Sequence, residues 1–191
     1  MKKEKWLIVG LGNPDSQYEK NRHNVGFWYV DYAINQREVT HIKNKYCALY
    51  QYDSDRETIF FAKPHFYMNE SGVPIKKLLD NLEIRISQLI VFVDDMNLDV
   101  GDMRIRKRGQ DGGHNGLKSI EHHLKTQEYP RLRIGIGSPG NKKDHINYVL
   151  GDFTIEERSK IHKILERADE SVKEILENGF GSSMSKFNRL F

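Results

Sequence analysis

Four clusters along this chain carry side chains suited to hydrolysis. They are Asn13 with His23, the run Tyr67-Met68-Asn69-Glu70-Ser71-Gly72, the pair Asp94-Asp95, and Gly112-Gly113-His114-Asn115-Gly116. Together they supply a histidine, a carboxylate and three carboxamides, with no serine or cysteine in a nucleophile setting. Such a set favours attack by water: the imidazole removes the proton while amides hold the carbonyl and the developing oxyanion. A carboxylate on the other ring nitrogen fixes the tautomer and stabilises the imidazolium. A positioned base contributes about 10²–10⁴ in rate and one oxyanion donor about 10²–10³, which suits an activated ester better than an amide.

Each cluster also has a plainer reading. A histidine before a helix can cap or pack, Asn13 before Pro14 can start a turn, and Asn69 and Ser71 have the spacing to cap the helix that follows. Asp94-Asp95 at a strand end is the rival with its own chemistry, a Mg²⁺ site for phosphoryl transfer. His41, His65, His122, His123, His145 and His162 fall into no metal-ligand spacing.

The elements that must position these groups follow from periodicity. Trp6-Leu7-Ile8-Val9 reads as a buried strand, with Gly10 and Gly12 marking a sharp turn at its carboxyl end, where open α/β sheets bind ligands. Asp15 stands after Gly10 and Gly12, so the dinucleotide fingerprint is incomplete and the loop positions side chains instead. A helix is predicted over 25–36, a hairpin from strands at 46–52 and 58–62, and a helix over 71–82. Leu89-Ile90-Val91-Phe92-Val93 is a second buried strand, ending in the two aspartates. Residues 103–108 alternate as a strand, 109–116 form a glycine-rich loop, 117–124 a short helix and 131–137 a strand. Thr154 with Glu157 forms a capping box for a long amphipathic helix reaching Gly179, which packs on the sheet. The interleaving indicates an α/β fold, a twisted mixed β-sheet flanked by helices in a single domain over 1–191.

Composition narrows the classes. The chain has 191 residues, 38% hydrophobic and 30% charged, with no apolar run long enough to span a membrane and no apolar leader after Met1-Lys2-Lys3-Glu4-Lys5. The expectation is a cytoplasmic protein. Cys47 is the sole cysteine, which rules out an intramolecular disulfide and a thiolate metal cluster. Net charge is only +3, yet residues 101–143 hold ten Lys/Arg against four acids, the footprint of a polyanionic partner. Strand alternation puts Arg104, Arg106 and Arg108 on one face and Arg131 with Arg133 on one face of a later strand. If those strands are neighbours, the guanidiniums converge on a patch able to clamp phosphate.

With these motifs assembled, the chain resembles the bacterial peptidyl-tRNA hydrolases over almost its full length. The matching pieces are Gly10-Leu11-Gly12-Asn13-Pro14, Tyr18, Arg22-His23-Asn24-Val25-Gly26, Lys63-Pro64, Tyr67 to Gly72, Asp94-Asp95, Gly112 to Gly116 and Arg131 to Gly137. The resemblance implies a cytosolic monomer that cleaves the ester between a peptide and the terminal ribose of tRNA. It implies no metal and no cofactor. His23 matches the general base, Asp94 the carboxylate supporting it, and Asn13 the amide that distinguishes N-blocked from free aminoacyl-tRNA. Tyr18, Tyr67, Asn69 and Asn115 match residues contacting the peptide or the acceptor end, and Arg106 and Arg133 match basic residues near the 5′-phosphate. The region from Thr154 matches a C-terminal helical region bordering the cleft. Asn21, Asn97, Asp99 and Gln110-Asp111 depart from the family pattern without removing a catalytic group. Two other classes fit parts of the chain: a non-catalytic RNA-binding protein, and the Mg²⁺-dependent phosphoryl-transfer enzyme.

Overall fold

The computed structural model describes residues 3–188. Its strands are β1 (Glu4–Gly10), β2 (Thr40–Ile42), β3 (Cys47–Asp53), β4 (Glu57–Pro64), β5 (Leu89–Asp95), β6 (Met103–Arg106) and β7 (Arg131–Gly135). The helices are α1 (Val25–Asn35), α2 (Gly72–Leu82), α3 (Asn115–Leu124), α4 (His145–Val149) and α5 (Ile155–Phe187). One mixed sheet runs β2-β3-β4-β1-β5-β7-β6. β4, β1, β5 and β7 are parallel, while β2, β3 and β6 run against their neighbours.

The central strands are apolar at consecutive positions because both sheet faces are covered. Ile8, Phe61, Ile90, Phe92 and Leu132 meet α1 and α5, and Leu7, Val9, Phe60 and Val91 meet α2 and α3. The expected hairpin is β3 with β4. Sequence periodicity gave no sign of β2 or α4, which have three and five residues and too little apolar pattern to register. No helix among the described residues is long and apolar enough to cross a membrane.

The expected capping box is present: Glu157 N–H donates to Thr154 Oγ1 at 3.2 Å, and Thr154 N–H to Glu157 Oε2 at 2.7 Å. The apolar stripe stops at Gly179 because the chain leaves helical geometry there, at φ 81° and ψ 169°, before resuming to Phe187. Beyond that bend Ser183 and Phe187 are buried. Asn188 then pairs with the edge strand, accepting from Ile105 N–H at 2.7 Å and donating to Ile105 O at 3.0 Å. α5, in the region from Thr154, packs along the sheet, and it is α4, just before that region, that lines the cleft.

The carboxyl ends of β1 and β5 meet the start of α1 at a glycine crossing. A Cβ on Gly10 would sit 2.0 Å from Gly26 O, and one on Gly26 would sit 2.5 Å from Leu11 N and 2.6 Å from Phe92 O. The missing side chains let α1 rest on the sheet edge, directly after the turn Arg22–Asn24. Gly26→Ala should therefore destabilise the protein by about 1–3 kcal/mol through overpacking, read as a lower urea midpoint at unchanged slope.

Candidate active site

The four sequence clusters all fall at the carboxyl edge of the parallel strands. The last two residues of β5 are Asp94 and Asp95, and Asp94 is a buried carboxylate that accepts from two imidazoles on one oxygen. His23 Nδ1 and His114 Nε2 each lie 2.9 Å from Asp94 Oδ1. Because an ionised carboxylate only accepts, His23 carries its proton on Nδ1 and leaves Nε2 as a free lone pair. The imidazole is nearly buried, with 12% of its side chain exposed. Burial lowers its pKa, but the charge and hydrogen bond of Asp94 outweigh that and raise it above the ordinary value. Burial pushes Asp94 up, yet the two imidazoles hold it well below the usual carboxylate range.

His114 was not among the expected site residues. It caps α3: Gly116 N–H and Leu117 N–H donate to its Nδ1 at 3.1 and 3.4 Å. Its Nε2 therefore carries the proton and donates to Asp94. The signal in the sequence was its place between two glycines and a helix start, but histidine is a rare cap and the position read as loop.

Asn13 is held by a reciprocal pair. Its N–H donates to Asn24 Oδ1 at 2.8 Å, and Asn24 Nδ2 donates to its carbonyl at 2.9 Å. The Asn13 side-chain oxygen accepts from Met68 N–H at 2.8 Å, so only its NH₂ is left without a partner among the described residues. This contact also joins the Tyr67–Gly72 cluster to the β1 loop. Asn69 and Ser71 do not cap α2, since Ser71 Oγ donates back to Met68 O. Asn69 is exposed.

A cavity of about 290 Å³ is lined by His23, Asp94, His114, Asn115 and Arg133, with His145 and Ile146 of α4 on one wall. Asn13 borders a second cavity. Tyr67 donates its hydroxyl to Asp15 at 2.5 Å, and Tyr18, in the turn Ser16–Tyr18, is half-buried. Arg106 is exposed on β6 and lines neither cavity.

The expected arginine patch needs correction. Register pairs Arg104 with Arg133 and Arg106 with Arg131, so these four do share one face. Arg131, however, is 2% exposed: it lies 3.9 Å over the Tyr129 ring and donates to Gln110 O and Gln127 O. It is spent on anchoring the glycine-rich loop that leads to His114. Arg108 lies beyond β6 and pairs with Glu128. Arg133 pairs with Asp95 at 2.6 Å while keeping 30% of its side chain exposed.

Arg22, next to His23, was likewise missed as a structural anchor. It donates to Asp152 O at 2.6 Å and Glu157 at 2.8 Å, and lies 4.4 Å over the Tyr148 ring. Asn21 donates to Leu150 O, so this departure from the family pattern also ties α4 to the histidine turn. The other departures are built in too. Asn97 N–H and Nδ2 donate to Asp95 Oδ1, Asp102 N–H donates to Asp99 O, and Asp111 accepts from Gly113 N–H at 2.7 Å.

The donor set does not suit a divalent ion. One atom each of His23, Asp94 and His114 lie within 4.8 Å of one another, but the His114 nitrogen facing Asp94 carries a proton and offers no lone pair. Asp94 and Asp95 are separately engaged, by imidazoles and by Arg133 with Asn97. Cys47 is buried, with its thiol pushed up to about 12, and is no nucleophile.

The family model described as peptidyl-tRNA hydrolase matches residues 7–190. The solved structure of peptidyl-tRNA hydrolase from Acinetobacter baumannii is 31% identical, with a TM-score of 0.90 over 96% of this chain and 94% of that one. A mutant of the Acinetobacter baumannii peptidyl-tRNA hydrolase gives a TM-score of 0.91 at 30% identity, over 98% and 96% of the two chains. A peptidyl-tRNA hydrolase in complex with N-propanol gives 0.90 at 31% identity, over 96% and 94%. The chain belongs to the peptidyl-tRNA hydrolase family.

Proposed function

We propose that this enzyme hydrolyses the ester joining a peptide to the terminal ribose of tRNA, with His23 as general base and Asp94 as its supporting carboxylate. The observation that carries the reading is the contact between His23 Nδ1 and the ionised Asp94, which leaves Nε2 free to take a proton. Nε2 removes a proton from water as the oxygen adds to the acyl carbon. Asn115, on the cavity wall, holds the carbonyl and the developing oxyanion, while Asn69, exposed and lining neither cavity, contacts the peptide or the acceptor end. Collapse expels the ribose oxygen, which takes the proton back from the imidazolium, leaving a peptide carboxylate and free tRNA.

The Asn13 NH₂ donates to the carbonyl of the amide that blocks the substrate amino group. A free aminoacyl ester has an ammonium there and offers no acceptor, so N-blocked substrates are preferred. Tyr18 and Tyr67 contact the peptide or the acceptor end, and Arg106 and Arg133 take phosphate. The donor set does not fit a divalent metal, and no cofactor is needed for water attack. Because His23, Asp94, His114 and Asn115 come from one chain, a monomer suffices. The substrate places the enzyme in the cytoplasm.

His23→Ala should lower kcat on an N-acetylated aminoacyl-tRNA by about 10²–10⁴, measured in EDTA. Wild-type activity should persist in the chelator. The rate should fall on the acid side as His23 gains its proton, with a midpoint above the ordinary histidine value of about 6.5. Asp94→Asn removes the charge that raises it, so the limb should move to lower pH while kcat drops. In a salt titration of tRNA binding, Arg106→Ala with Arg133→Ala should weaken affinity. It should also flatten the log–log slope by roughly 0.7–0.9 per lost phosphate contact.

A further inference from the structure

The second cavity, about 390 Å³, is lined by Asn13, Asp15, Glu19, Trp28, Asp31 and Lys63 among others. Its place in the sheet says what it can hold. Along the carboxyl edge the strands run β7, β5, β1, β4. The same order gives Arg133 on β7, Asp94 near the end of β5, Asn13 just after β1, and Lys63 near the end of β4. Phosphates belong with the arginines of β6 and β7. With the ester over His23 and Asp94, the acyl side of the substrate continues past Asn13 toward β4 and enters this cavity.

The charge there is opposite to that on the arginine side. Lys63 is bound to Asp31, while the Asp15 carboxylate accepts only from the Tyr67 hydroxyl and the Glu19 carboxylate has no cation partner among the described residues. Such a rim repels phosphate and attracts ammonium or guanidinium. The wall behind it is fixed, because Trp28 Nε1 donates to Glu19 O at 2.7 Å and its ring lies 5.3 Å from that of Phe153. A further, independent pointer to a ligand is Asn13 itself. It is 8% exposed and borders the cavity, with an NH₂ that nothing in the fold uses.

We propose that this cavity seats the residue preceding the esterified amino acid and selects a cationic side chain, lysine or arginine, at that position. The inference rests on the peptidyl-tRNA reading above. The amide carbonyl of that residue meets Asn13, and its side chain reaches the carboxylates of Asp15 and Glu19. Both carboxylates are partly solvated, so the preference is moderate and salt-sensitive.

The test uses one tRNA charged with one amino acid and extended as N-acetyl-lysyl or N-acetyl-glutamyl dipeptides, beside the simple N-acetyl aminoacyl ester. At low salt the lysyl substrate should be cleaved with kcat/KM about fivefold to tenfold above the glutamyl one, mainly through KM. Glu19→Gln, which leaves the Tyr67–Asp15 contact in place, should shrink that ratio, and adding Asp15→Asn should bring it close to one. Equal kcat/KM in the wild type, or a ratio untouched by both substitutions, would overturn the proposal. The simple N-acetyl ester has no residue to enter the cavity. Its cleavage alongside a ratio of one sinks this inference alone, whereas failure to cleave it sinks the hydrolase reading and this inference with it.

Discussion

One carboxylate oxygen organises this molecule's chemistry. Asp94 Oδ1 receives an N–H from His23 and another from His114, and each bond fixes the tautomer of its ring. A buried charge is costly unless it is paired and hydrogen-bonded. Here two rings from different loops satisfy it, one from the turn before α1 and one from the cap of α3. The same bonds that keep Asp94 ionised aim the free nitrogen of His23 outward. Stability and reactivity thus share one set of contacts.

Around that oxygen the fold spends several polar side chains on holding loops still. Arg131 binds the carbonyls of Gln110 and Gln127 beneath the glycine-rich loop, and Arg22 binds the α4–α5 junction from beside His23. Asn24 grips the backbone of Asn13 from both sides. Catalysis by positioned groups depends on such support, because loops alone do not hold geometry to a fraction of an ångström.

Much of this was legible in the residues. Buried strands announced themselves as unbroken apolar runs, and the Thr154–Glu157 box marked the start of α5. His23, Asp94 and Asn115 could be picked as partners because their residue types and strand-end positions suit one chemistry. The remainder was hidden for physical reasons. Alternation along a strand tells which face Arg131 takes, but not that Tyr129 and two carbonyls enclose it there. Nor does sequence order show that Asn13 borders a different cavity from His23, since the cavity a loop residue faces depends on how that loop folds. His114 stands in the sequence only as part of a glycine-rich motif, because its role needs both a helix start and a distant carboxylate.

The bend at Gly179 has an outcome far from the active site. By turning the last stretch of α5 back over the sheet, it delivers Asn188 to β6, where a carboxamide occupies both the N–H and the carbonyl of Ile105. An outermost strand with those groups free is a template for self-association between copies. A single glycine thus lets the chain blunt its own margin and guard against aggregation.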